Sequence, residues 1–199
     1  GGAFLFGTCA LLALFQPQLE AFKQRRMAGA LCRITDQGFA FERGYEFPFG
    51  AMKGRKLLPF REVQEIRLNT FPPTALVNRN EVIFLTGLKK DDVLAVAERH
   101  GVRTSEPIDI WELIGEEFLD TEFDEEEKRR TLQRLSDAGV PKEEVLAIRK
   151  KLQRRMLWWT YASMEWIYCG HYDVLGNRWP VSRKTYWWTM ELALRKPHA

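Results

Sequence analysis

The chain has 199 residues, of which 45% are hydrophobic and 13% aromatic, enough for one or two packed cores. Its 30 basic and 27 acidic residues nearly balance, leaving a net charge of +3. That argues against a dedicated nucleic-acid binder, which concentrates a larger basic excess on one face. Three widely spaced cysteines, Cys9, Cys32 and Cys169, form no C-x-x-C pair and read as reduced, buried thiols.

The chain opens Gly-Gly without an initiator Met, which reads as a fragment or a trimmed start. Residues 3–15 are almost wholly apolar, with Phe4, Leu5 and Leu12 among them, but fall short of the ~20 residues that span a bilayer. Three readings compete: part of a membrane helix, a core or interfacial helix, and, most weakly, a signal segment lacking a basic start. Lys23, Arg25 and Arg26 follow directly, as the positive-inside rule expects if the rest of the chain lies on the cytoplasmic face.

From residue 30 to about 102 the pattern is short strands and turns, closed by one helix. Leu31–Ile34 and Phe39–Glu42 flank a Thr35-Asp36-Gln37-Gly38 turn, and Tyr45–Phe49 alternates aromatic residues with others. Gln64–Leu68 alternates again, and Thr74–Val77 and Val82–Leu85 flank Asn78–Glu81 as a hairpin connection. Val93, Leu94, Val96 and Ala97 then make an apolar stripe on a helix spanning Lys89 to His100.

Ile34-Thr35-Asp36-x-Gly38, Pro59-Phe60-x-Glu62-Val63-x-x-Ile66 and the closing helix resemble the bacterial pleckstrin-homology-like domains, over little more than a third of the chain. The resemblance implies a strongly bent antiparallel β domain plugged by a helix and set beside a membrane. It implies no catalytic role and carries over no functional residue.

After Val102 the pattern turns helical, with Thr104–Pro107 as the boundary. Ile110, Trp111, Leu113, Ile114 and Phe118 mark one helix, and Leu132, Leu135 and Ala138 the inner face of a second ending at Gly139. A third could run from Pro141 to Tyr168, and a last one from a Ser182 cap to Leu194. The expected fold is therefore α+β: an apolar helix in residues 1–28, a pleckstrin-homology-like β domain in 29–103, and an α-helical bundle in 107–199.

Asp120, Glu122 and Asp124 alternate as calcium ligands do, but Glu125 and Thr131 stand where an EF-hand needs Gly and a bidentate Glu, so a charged helix start is the better reading. Cys169, His171 and Asp173 could ligate zinc, yet three such residues without paired cysteines or H-E-x-x-H are a weak signal against a turn histidine in a hydrogen bond. No G-x-S-x-G or glycine-rich phosphate loop occurs. No catalytic residue, metal or cofactor is assigned.

The aromatic density between Trp158 and Trp188 is the least ordinary feature. Core packing accounts for most of it, but Trp158 and Trp159 point apart on one helix, as do Trp187 and Trp188. Either these helices are buried on two sides, or one Trp of each pair meets a partner. Arg154 and Arg155 precede the first pair, so Trp158, Trp187, Arg154 and Arg155, with Phe4, Leu5 and Leu12, are the expected membrane or partner interface. The function expected is a non-enzymatic, membrane-proximal binding or scaffold module. The alternative is an enzyme or metal protein built around Cys169, His171 and Asp173.

Overall fold

The computed structural model describes residues 31–119, 124–163, 170–176 and 181–196, without the side chains of 118, 119 and 153–163. The apolar segment with Phe4, Leu5 and Leu12, and also Cys169, lie outside the described residues. So do the side chains of Arg154, Arg155 and Trp158.

The fold is mixed α+β. The first sheet pairs β1 (Cys32–Ile34), β2 (Gly38–Phe41) and β3 (Leu57–Pro59), all antiparallel. The Thr35–Gly38 turn that joins β1 to β2 closes through the Thr35 N–H and hydroxyl, both donating to the Gly38 carbonyl. Gly38 is required by proximity: a Cβ there would lie 2.0 Å from the Leu58 carbonyl oxygen of β3. Phe39 and Phe41 point inward and Ala40 between them does not, the period of a half-buried strand.

The second sheet has the order β6–β5–β4–β7, from β4 (Glu65–Arg67), β5 (Thr74–Val77), β6 (Glu81–Phe84) and β7 (Thr104–Ser105). The β5–β6 hairpin turns through Asn78 and Arg79 with left-handed backbone, φ 51° and 60°. Helix α1 (Lys90–His100) follows, stopped by Gly101 at φ 63° and seated through Val93, Val96 and Ala97.

Three expectations need correction here. Residues 104–105 are a strand, β7, parallel to β4, rather than a linker start. Tyr45–Phe49 keeps its alternation of buried Tyr45 and Phe47 but pairs with no strand, passing instead into a 3₁₀ turn at Gly50–Met52. Glu81 belongs to β6 and is completely buried, where the sequence had placed it in the hairpin connection.

The helical part contains α2 (Ile110–Leu119), α3 (Glu125–Asp137), α4 (Lys142–Ser163), α5 (His171–Gly176) and α6 (Arg183–Ala193). Asp109 caps α2 by accepting from the Trp111 and Glu112 N–H groups. Asp124 and Glu127 form a reciprocal capping box on α3, and Ser182 accepts from the Thr185 N–H to start α6. Trp111, Ile114, Leu135, Val145 and Leu152 centre one hydrophobic core. Phe39, Phe47, Ile66, Phe84 and Val93 centre the other, which also takes in Leu175, Val181, Tyr186 and Met190 from the helical part.

Helix α6 serves both cores. Tyr186 and Met190, four residues apart, face the β core, while Leu192 and the half-buried Trp188 pack on the helical one. Two buried sides on one short helix explain why adjacent Trp residues can both be used.

Candidate functional site

The described polar side chains that are buried lie mostly at the seam between sheet and helices. Glu81 accepts from the Tyr186 hydroxyl at 2.6 Å and from the Ala51 N–H at 2.8 Å, tying β6 to α6 and to the 3₁₀ turn. Burial raises the Glu81 pKa, opposed by those two hydrogen bonds. Tyr45 accepts from the Phe84 N–H at 3.1 Å, and the Tyr172 hydroxyl donates to Glu46 at 2.6 Å, tying α5 to the segment before the turn.

Arg149, a few residues before the first Trp pair, is buried. Its Nε donates to the Ile114 carbonyl at 3.1 Å, and the guanidinium pairs with Glu117. Burial lowers its pKa, and Glu117 and Glu116 counter that. Arg67 sits 3.4 Å from Glu65 and donates through Nη1 to the Ala193 carbonyl at the end of α6.

A cavity of about 20 Å³ lies at this seam, lined by residues that include Arg67, Thr70, Thr74, Asp109, His171 and Tyr172. His171 opens α5 and stacks on Trp111 (ring centroids 5.9 Å, 19°), with its edge toward Phe84. The sequence suggested a hydrogen-bonded turn histidine. The Nε2 of His171 is instead buried without a partner, and desolvation, helped by Arg67, lowers its pKa to about 3.

Of the residues suggested as zinc ligands, Asp173 is turned to local structure: it accepts from the Gly170 N–H at 3.0 Å, and burial raises its pKa to about 6. Among the described residues no group of three or more metal-ligating side chains occurs. Cys32 is a buried thiol with its pKa pushed up to about 12 by desolvation.

Trp187 is half-buried against the β core, its ring 5.3 Å from Tyr186 in an edge contact. Trp188 meets Trp111 at 5.4 Å, and the Lys151 ammonium lies 3.7 Å from its ring centroid. Among the described residues no helix is long and apolar enough to cross a membrane. The buried Glu81 and the cavity were invisible in the sequence, because each depends on contacts between segments about a hundred residues apart.

Comparison with family models, with curated proteins and with solved structures returns no match for this chain.

Proposed function

We propose that the chain is a non-enzymatic, membrane-proximal binding or scaffold module on the cytoplasmic face, whose β part is a bacterial pleckstrin-homology-like domain. The observation that carries this reading is how the buried ionisable groups are used. Glu81, Arg67 and Arg149 each reach from one element to another and hold it there. Links of this kind hold the helical layer rigidly against the sheets, as a binding surface requires.

The domain reading is supported by two small, mainly antiparallel sheets and by α1, which follows the last hairpin and plugs the core with Val93, Val96 and Ala97. Strand β7 and the helical layer are additions to that plan. The membrane setting rests on the apolar residues 3–15 and on Lys23, Arg25 and Arg26. On this reading Arg154, Arg155, Trp158 and Trp187 supply a basic and aromatic contact for headgroups or for a membrane protein.

The test is flotation of the chain with vesicles of neutral lipid and of neutral plus anionic lipid. The full chain should float with both, more strongly with anionic lipid, and R154E/R155E should erase the anionic preference. An anionic preference that survives R154E/R155E would remove these two residues from the interface, and a full chain that floats with neither vesicle would overturn the membrane reading.

A further inference from the structure

The seam cavity contains chemistry that the scaffold reading leaves unused. His171 is 4% exposed, its Nε2 has no partner, and the residue lines the cavity. The Nε of Arg67, which lines the same cavity, is likewise buried without a hydrogen bond; Glu65 stands at ion-pair distance outside hydrogen-bond geometry. Thr70 and Thr74 add hydroxyls 3.3 Å apart. Buried polar atoms of folded proteins nearly always have a hydrogen-bond partner, so two without one in a small cavity call for an occupant.

Size and charge select its class. A space of about 20 Å³ admits roughly one oxygen-sized group. An anion meets Asp109 and Glu65 beside Arg67, and a cation meets Arg67 itself, so a neutral group is favoured. That group must both donate and accept, because a neutral imidazole nitrogen and an arginine N–H make opposite demands when Nε2 is unprotonated. Outside, Phe71 (71% exposed) and Ile108 (44% exposed) give the cavity an apolar rim.

We propose that this cavity binds one hydroxyl oxygen, hydrogen-bonded to His171 Nε2 and Arg67 Nε and supplied by a water molecule or by the head of a small alcohol whose alkyl part rests on Phe71 and Ile108. The site stitches α5 to β4 through the bound oxygen.

The test is NMR of the full chain with labelled histidine, threonine, phenylalanine and isoleucine. Water-selective cross-relaxation, with the sign of a long-lived contact, should reach the His171 ring and the Thr70 and Thr74 methyls. In a second arm, 1-propanol is titrated in: saturable shifts confined to His171, Phe71 and Ile108 assign the hydroxyl to an alcohol, and their absence with the water contact intact assigns it to water. Neither a water contact nor saturable shifts would overturn the site. In H171F the water contact at the two threonines should be lost, and its persistence would overturn the role of His171. Should that variant fail to fold, the measurement on the parent chain decides alone.

Discussion

Single residues at the seam carry opposed electrostatic costs. Folded His171 has its pKa lowered to about 3 from 6.5, so its contribution is present above pH 6.5 and is lost as pH falls. Folded Asp173 has its pKa raised to about 6 from 3.8, so its contribution is present below pH 3.8 and is lost as pH rises through 6. Between about pH 4 and 6 the folded chain holds one proton, on Asp173, and the unfolded chain holds one, on the histidine. The pair therefore gives almost no slope in that window, and stability falls only below it. Single substitutions unmask the two slopes. D173N should lose about 1–3 kcal/mol between pH 6.5 and 4, and H171Q should gain stability over the same fall. Urea unfolding at a series of pH values checks both, and parallel flat profiles for the two variants would contradict the assignment.

The Glu81–Tyr186 contact belongs to the same scale. Y186F removes the hydroxyl donor from a buried carboxylate and should cost about 1–3 kcal/mol in urea unfolding. The double variant E81L/Y186F should cost less than the sum of the two single changes, because each alone strands the other partner. Strict additivity would mean that the two groups act independently.

At the scale of elements, the sequence was read well wherever one face of one segment decides the outcome. The spacing of Val93, Val96 and Ala97 and the Ser182 cap are local signals, and each element formed as they require. Tyr45–Phe49 shows what periodicity reports: alternation marks which side chains are buried, while strand formation needs a neighbour's backbone, and none is paired there. Strand β7 failed for the opposite reason, since two residues paired in parallel to β4 carry no periodic pattern at all. Gly38 gives the element-scale prediction. G38A drives a Cβ into the Leu58 carbonyl, so β2 and β3 must part, and thermal unfolding should show a loss of more than about 2 kcal/mol. An unchanged melting temperature would show that β3 can yield.

For the whole molecule, α6 is the consequential element. It supplies Tyr186 and Met190 to one core and Leu192 to the other, so neither core is complete without it. Amide protection at Phe39 and Val93 in the β core and at Ile114 and Leu135 in the helical core should therefore be lost in one urea transition; separated midpoints would mean that the cores unfold independently. The α+β class was legible in the sequence, because strands and helices fall in separate runs. The joining of the two runs was not, because Glu81 and Tyr186 lie 105 residues apart and nothing local marks a glutamate in a strand as buried. The interface residues are legible only as composition. Trp187 is half-buried on the β core, and Phe4, Leu5, Leu12, Arg154, Arg155 and Trp158 are argued from sequence alone.

Membrane proximity is the central claim, and liposome co-sedimentation of the chain with and without residues 1–16 tests it most directly. The account predicts that the full chain sediments with vesicles and that truncation abolishes or sharply weakens this, while far-UV circular dichroism shows that the remainder stays folded. Loss restricted to the truncated form identifies residues 1–16 as the anchor, and binding that survives truncation moves the contact to the Trp-rich helices. A full chain that stays in the supernatant with every vesicle composition would contradict the membrane reading and return the apolar segment to the protein's own core.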